Sequence, residues 1–175
     1  MVGSYNTLLC ARTDFRQKTY GALLVDYTHE FDFLRWIFGE VETVRAMGHA
    51  LGGKEKRCDP ALAAILLRFA SGAIVSVHMD YVQHPQRRSL EVYGDRKTLE
   101  LDLQTDALRI FDSSQDGFLT RQFDPERNHR FRAEHQDMLN AVTQRTLPRV
   151  TGEDAVKALD VAESALAQIR ARGSR

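Results

Sequence analysis

The chain has 175 residues, and its 24 lysines and arginines are balanced by 24 aspartates and glutamates, so its formal net charge is zero. That balance gives no reason to expect nucleic acid or an acidic membrane as the main partner. A hydrophobic content of 43% beside 27% charged residues is typical of a folded domain and excludes a disordered chain. We therefore expect one domain over residues 1–175.

The start of the chain and its cysteines favour the cytoplasm. Met1 is followed by no basic region or long apolar run, and no segment approaches the ~20 apolar residues of a membrane span. Cys10 and Cys58 form no CxxC and no metal-type cluster. One disulfide between them is arithmetically possible, but two free thiols in a reducing cytosol is the simpler interpretation.

The first 20 residues are polar, with one short strand predicted at Tyr5–Cys10, and a helix is predicted over Gly21–Gly39. At about 100° per residue, apolar side chains form a core-facing stripe on this helix: Tyr27, Phe31, Leu34 and Phe38. The other side carries acid and base groups among large rings: Asp26, His29, Phe33 and Trp36, with Asp32 at its edge. We expect this helix to be covered on both sides, by its own domain and by something else.

The pattern then changes to the alternation that is typical of strands. One strand is predicted at Val41–His49, and a loop follows it. Further strands are predicted at Ala61–Phe69, Ala73–Val82, Arg88–Tyr93, Lys97–Leu103 and Ala107–Phe111. They form an antiparallel meander with one apolar face. The other face could be solvated or could be an oligomer interface; it carries Ser76, His78, Asp80, Glu91, Tyr93, Glu100 and Asp102.

In the last third of the chain, the sequence pattern predicts a loop at residues 113–128 and then two helices. The first helix is Arg130–Gln144, with apolar contacts supplied by Phe131, Met138, Leu139 and Val142. The second is Ala155–Ile169, which Thr151 is predicted to cap with Asp154 in capping-box position. The predicted fold class is α+β, a mostly antiparallel open-faced sheet with helices packed on one face.

His29 and Asp26 are the sharpest candidates for chemistry. A histidine serves as general acid and base near neutral pH, and a neighbouring carboxylate orients it. Their i, i+3 spacing places both on one helical face. The structural alternative is an Asp–His hydrogen bond that only stabilises the helix. Asp32 lies well around the helix from Asp26, and no further His or Cys cluster supports a metal site, so we expect none.

Other polar groups carry weaker signals. Three residues near a strand end carry hydrogen-bond donors that could bind a sugar or phosphate: Gln83, Arg87 and Arg88. A solvated turn is the simpler interpretation of this segment. The remaining histidines belong to no motif. The sequence contains no Ser-His-Asp motif, no P-loop and no GxGxxG.

Taken together, these residues resemble a known family. The helix segment is similar to G-G-x-L-x-D-x-x-H-E-x-D-x-x-R-W-x-x-G, a signature of the substrate domain of the Gfo/Idh/MocA oxidoreductases. The matching residues are Gly21, Leu24, Asp26, His29, Glu30, Asp32, Arg35, Trp36 and Gly39. Later stretches also resemble the family's strands and its last helix: Leu66–Ala73, Asp80–Gln83, Leu90–Gly94 and Arg149–Ala155. The resemblance covers nearly the whole chain.

The resemblance implies a fold like the C-terminal domain of glyceraldehyde-3-phosphate dehydrogenase, and a role. Such a domain completes an active site whose NAD or NADP sits on a separate Rossmann domain, and its open sheet face forms homodimers or tetramers. His29 is implied as the acid/base on a hydroxyl of a sugar, nucleotide sugar or cyclitol, with Asp26 as its partner. The implied substrate contacts are Arg16, Tyr20, Asp32 and Asn128.

These 175 residues contain neither the family's glycine fingerprint nor a Glu-Lys-Pro motif with its catalytic lysine. The Rossmann domain is therefore missing from them, and we expect this chain alone to bind no NAD(P) and to oxidise nothing. The leading hypothesis is a substrate-binding and oligomerisation domain of an NAD(P)-dependent oxidoreductase. The alternative is a stand-alone, non-catalytic domain that dimerises through its sheet and binds a sugar or a protein. A Rossmann-encoding reading frame upstream would favour the first hypothesis.

Overall fold

A computed structural model of the chain describes residues 2–8, 24, 27–51, 58–81, 83–85, 87–114, 117–123 and 126–173. Three helices lie in these ranges: α1 (Thr28–Phe38), α2 (Arg127–Gln144) and α3 (Gly152–Gly173). The same ranges contain eight strands: β1 (Val2–Leu8), β2 (Val41–Leu51), β3 (Cys58–Phe69), β4 (Ile74–Asp80), β5 (Arg88–Tyr93), β6 (Lys97–Asp102), β7 (Ala107–Asp112) and β8 (Phe118–Gln122).

The eight strands form one sheet in the order β2-β3-β4-β1-β5-β6-β7-β8. β1 lies between β4 and β5, parallel to β4 and antiparallel to β5. The other neighbouring pairs in this sheet are antiparallel. The prediction of an α+β fold with a mostly antiparallel sheet is therefore confirmed.

Helices α1 and α3 build the core against one face of the sheet. All four residues of the predicted α1 stripe are at most 4% exposed, which confirms the helical period read from the sequence. They share one hydrophobic cluster with the inward side chains of β3 and β4 and with α3. At Gly48 of β2 the approach of α3 is so close that an added Cβ would meet Ile169 Cδ1 at 2.9 Å.

The opposite face of the sheet carries none of the described helices. Its side chains alternate with the buried ones, as predicted, and the exposed apolar residues Met47, Leu66 and Ile74 lie on β2, β3 and β4. Asp80 departs from the expectation of a solvated polar face because it is only 2% exposed. Its carboxylate contacts His78 Nε2 at 2.8 Å and accepts the Gln83 N–H at 2.7 Å.

The prediction of a loop over residues 113–128 is wrong, because β8 lies inside that range and pairs antiparallel with β7. All five residues of β8 are exposed. An edge strand that buries neither face has no need of the apolar/polar alternation by which strands are recognised in a sequence. The register of β8 comes instead from its hydrogen-bonded neighbour.

The prediction that the apolar residues of α2 supply contacts is also wrong. Phe131, Met138, Leu139 and Val142 are 51–70% exposed. The helix is held mainly at polar points, with Arg130 bound to Asp106 at the β6–β7 turn, and it does not lie on the sheet. Its apolar stripe has the spacing of a packed helix and is left uncovered among the described residues.

The predicted helix caps are in place. Gly39 ends α1 with φ +92°, and its N–H donates to the Arg35 carbonyl at 2.8 Å. Thr151 and Asp154 form a reciprocal capping box: the Thr151 N–H donates to Asp154 Oδ2, and the Asp154 N–H donates to Thr151 Oγ1. None of the helices in the described ranges is long and apolar enough to cross a membrane.

Candidate functional site

The solvent side of α1 forms one wall of an open groove of about 470 Å³. The other wall comes from the α2–α3 connection and the start of α3. The groove is lined by His29, Asp32, Phe33, Arg35, Trp36, Glu40, Arg149, Val150 and Asp154. Trp36 is 83% exposed, so the helix face that the sequence predicts to be covered by something else is open in this chain.

Arg35 fixes the floor of the groove. Its guanidinium is nearly buried and donates to both carboxylate oxygens of Glu40, from Nε at 3.0 Å and from Nη2 at 2.9 Å. Nη1 donates to the Asp154 carbonyl at 2.9 Å and to Asp32 at 3.3 Å. The hydrogen bond to Glu40 raises the pKa of Arg35, and the bonds from Arg35 and then Lys157 lower the pKa of Glu40. This clamp joins α1 to the start of β2 and to the start of α3.

His29 lies in the first turn of α1 at the rim of the groove. Its side chain is half exposed, and its Nε2 lies 3.1 Å from Oε1 of Glu30. The Tyr27 ring stands beside it, with the two ring centroids 5.8 Å apart. The His29 ring therefore contacts Glu30 and Tyr27 on one side and is accessible to a ligand in the groove on the other.

Glu30 is a neighbour of His29 to which the sequence analysis gave no role. It is fully buried, and the same Oε1 accepts a charge-assisted hydrogen bond from Arg88 Nε at 2.9 Å. A signal was available: on the helical wheel Glu30 lies about 40° to one side of the core stripe, and Arg35 lies about 40° to the other side. Both charged residues are buried for that reason. Arg88, predicted as a donor for a ligand or as part of a turn, thus binds a carboxylate of α1.

The structure brings some of the predicted site residues together. His29 and Asp32 both line the groove. Asn128 is exposed near the start of α2, two residues before Arg130 of the Arg130–Asp106 ion pair. It does not line the groove. Arg16, Tyr20 and Asp26 lie outside the described residues, as does Cys10 of the possible disulfide. The described residues hold no group of three His, Cys, Asp or Glu side chains suited to a metal ion.

A second depression, of about 560 Å³, lies between the strands at the polar end of the open face. Arg87, Arg88 and Arg109 line it together with Glu91, Glu100 and Asp102. Its three arginines and three carboxylates balance in number, and Arg109 donates to Glu100 at 2.6 Å. This depression carries no clear preference for an anionic or a cationic ligand.

Residues 11–174 match the sequence profile of the C-terminal alpha/beta domain of the Gfo/Idh/MocA oxidoreductase family. The chain belongs to this family. The match spans nearly the whole chain, so the resemblance of the His29 segment to the Gfo/Idh/MocA signature is confirmed at the level of the family. Comparison with curated proteins finds no significant sequence match.

Solved structures show the same fold. UDP-N-acetylglucosamine 3-dehydrogenase GnnA from Acidithiobacillus ferrooxidans is 19% identical, with a TM-score of 0.78. The match covers 97% of this chain and 54% of the GnnA chain. Levoglucosan dehydrogenase in complex with NADH and levoglucosan is 16% identical, with a TM-score of 0.83. The match covers 97% of this chain and 56% of the dehydrogenase chain. Biliverdin reductase from Synechocystis sp. PCC 6803, in complex with biliverdin and NADP+, is 21% identical, with a TM-score of 0.76. The match covers 95% of this chain and 54% of the reductase. The chain spans about half the length of these structures.

Proposed function

We propose that this chain is the substrate-binding domain of an NAD(P)-dependent oxidoreductase that acts on a hydroxyl of a sugar, nucleotide sugar or cyclitol. Membership of the family supports an oxidoreductase role. Two similar structures are named as dehydrogenases of sugar compounds. The observation that carries the proposal is the groove with a half-exposed His29 at its rim and carboxylates along its length.

In this proposal His29 takes the proton of the substrate hydroxyl, and Asp26, three residues earlier in the sequence, is its expected partner. Asp32 accepts a hydrogen bond from a second hydroxyl, because its carboxylate is partly exposed in the groove. Arg16, Tyr20 and Asn128 remain proposed substrate contacts. A nicotinamide cofactor, when bound on its own domain, supplies the hydride acceptor.

We infer that the partner of the groove is a Rossmann cofactor domain. Two exposed apolar side chains line the groove, Trp36 on α1 and Val150 in the α2–α3 connection, and Leu147 of the same connection is also exposed. Large exposed apolar side chains beside a groove are typical of an interface. Similar structures that carry NADH or NADP+ are about twice as long as this chain, which supports a second domain.

A second surface favours self-association. The apolar centre of the open sheet face, formed by Met47, Leu66 and Ile74, fits a homodimer or tetramer contact. The same patch is what favours the alternative function, a non-catalytic domain that dimerises and binds a sugar or a protein. Two cysteines outside any disulfide-type pattern favour the cytoplasm for either function.

The test is to supply a Rossmann domain of the family, fused or in trans, and to follow NAD(P)H absorbance with UDP-N-acetylglucosamine, levoglucosan and a cyclitol. We expect one class to be oxidised, and His29→Ala to lower kcat by about 10²–10⁴-fold, the contribution of general acid–base catalysis. His135→Ala, an exposed histidine on α2, is the matched control and should be neutral. No activity on any hydroxyl, or an unchanged rate in His29→Ala, would overturn the proposal.

A further inference from the structure

Glu30 is a fully buried carboxylate, and Arg35 and Asp80 are the other charged side chains buried among the described residues. A buried charge costs several kcal/mol unless it is hydrogen-bonded to an opposite charge. Arg35 has such partners in the groove clamp. Glu30 is not part of that clamp, so its burial needs a separate reason.

The contacts of Glu30 supply that reason. Oε1 lies 2.9 Å from Arg88 Nε and 3.1 Å from His29 Nε2. A carboxylate beside a guanidinium is ionised and only accepts hydrogen bonds, so the imidazole nitrogen that it contacts carries a proton. In the neutral ring the lone pair is then on Nδ1.

Two elements hold this carboxylate in place. Glu30 belongs to the first turn of α1, where the helix dipole favours an anion. Arg88 belongs to β5, so its hydrogen bond fixes the carboxylate relative to the sheet. The orientation and the tautomer of the His29 ring are therefore set from the buried side of the helix.

We propose that Glu30 is a positioning residue: it holds Nε2–H of His29, so that Nδ1 is the atom that exchanges a proton with the substrate. This inference rests on the proposed role of His29. In the oxidation, the hydroxyl O–H proton goes to Nδ1 and the carbon-bound hydrogen leaves as hydride, with both electrons, to the nicotinamide cofactor, which forms the carbonyl. The resulting imidazolium donates from Nε2 to the Glu30 carboxylate, whose negative charge stabilises it.

The chain offers internal references for a test. His78 Nε2 is hydrogen-bonded to Asp80 Oδ2 at 2.8 Å on the open face, and it is likewise a partly exposed imidazole beside a buried carboxylate. His135 is exposed on α2. A histidine held in one tautomer should resemble His78 in its nitrogen signals, and an unrestrained one should resemble His135.

The first measurement uses this chain alone, labelled with nitrogen-15 histidine, in long-range proton–nitrogen correlation spectra at mildly alkaline pH. We expect His29 to be a single tautomer with Nε2 protonated, and Glu30→Met to move its signals toward those of His135 while His78 is unchanged. A wild-type His29 with the averaged signals of His135 would overturn the inference without any variant. So would a His29 signature that survives Glu30→Met.

The second measurement uses the chain joined to a cofactor domain. Glu30→Met should lower kcat by about 10- to 100-fold with KM within about threefold, because orientation is one part of acid–base catalysis. Glu30→Gln retains an oxygen at the Oε1 position, so it should keep the tautomer and most of kcat.

The outcomes separate this inference from the proposed function. If His29→Ala leaves the rate unchanged, the role of His29 fails while the tautomer result still stands for the pair. If His29→Ala abolishes activity but Glu30→Met matches the wild type in kcat, the role of Glu30 fails alone. Should Glu30→Met not fold, the wild-type spectrum still decides, because averaged His29 signals would overturn the inference, as would loss of the Nε2-protonated tautomer in the wild type.

Discussion

At the scale of single residues, the Arg35–Glu40 pair is the contact on which the groove depends. Glu40→Ala should lower the free energy of unfolding by about 1–2 kcal/mol, because a nearly buried guanidinium loses two charge-assisted hydrogen bonds. Glu40 is half exposed, and solvent screening keeps the cost below that of a fully buried pair. Urea unfolding measures it. Glu42→Ala, an exposed glutamate two residues along β2, is the matched control and should cost less than about 0.5 kcal/mol.

The same pair predicts an acid dependence of stability. The pKa of Glu40 is lowered from 4.5 by Arg35 and Lys157, and the pKa of Asp154 is lowered from 3.8 by hydrogen bonds from the backbone and then the side chain of Thr151. A depressed folded-state pKa adds stability above the unfolded value, which is lost as pH falls through the folded value. The free energy of unfolding should therefore be flat above about pH 5 and decline below it.

Unfolding curves recorded at a series of pH values test this dependence. Glu40→Gln should start from a lower stability at neutral pH and show a shallower decline in acid. A variant that declines as steeply as the wild type would place the acid sensitivity elsewhere.

At the scale of elements, α1 has one face for the domain and another for the groove. Leu34→Ala should cost about 2–5 kcal/mol, because Leu34 is fully buried against the sheet and the change leaves a cavity. Ile37→Ala on the same helix removes a partly exposed aliphatic side chain and should cost about 1 kcal/mol or less. Thermal and urea unfolding compare the two variants. Equal costs would mean that α1 packs differently from the orientation described.

The contact of β2 with α3 depends on the absence of one side chain. Gly48→Ala should cost about 1–3 kcal/mol, because the new methyl group would lie 2.9 Å from both Ile169 Cδ1 and the Leu62 carbonyl oxygen. The backbone oxygen cannot move aside. Gly94→Ala is the control, since its added Cβ would meet only the Lys97 carbonyl at 3.5 Å. If both alanines are tolerated equally, α3 lies farther from β2 than described.

How far the sequence predicts these elements depends on what each one packs against. The α1 stripe and strands β5 to β7 were readable because a buried face imposes its own period. β8 was missed because it buries neither face. α2 shows the spacing of a packed helix, but its apolar stripe meets no covering surface among the described residues. His29 was singled out by its position on the polar side of the predicted helix, and its role was implied by the resemblance. The contact of Glu30 with Arg88 depends on the distance between α1 and β5, which no local pattern reports.

At the scale of the whole molecule, the uncovered groove can be followed by one fluorophore. Trp36 is the single tryptophan of the chain and is 83% exposed. Its emission in the folded chain should lie close to that of the urea-unfolded chain. Titration with a tryptophan-free cofactor domain should shift the emission to the blue, because docking removes the indole from water. The Trp36→Phe chain should give no such signal. A spectrum unchanged at saturating concentration would place the cofactor domain on another surface.

The position of β1 has a consequence for the order in which the sheet assembles. β1 pairs with β4 on one side and with β5 on the other, so that Val2 lies opposite Ile74 of β4 and opposite Tyr93 of β5. Strands β2 to β4 are neighbours in sequence, and so are β5 to β8, so each ribbon can form by local hairpins. Joining them requires β1 to close a long loop, and non-local closure of this kind slows folding. On the ribosome, β1 emerges before the strands on either side of it, so one of its edges stays unpaired until β4 has been made and the other until β5 has been made.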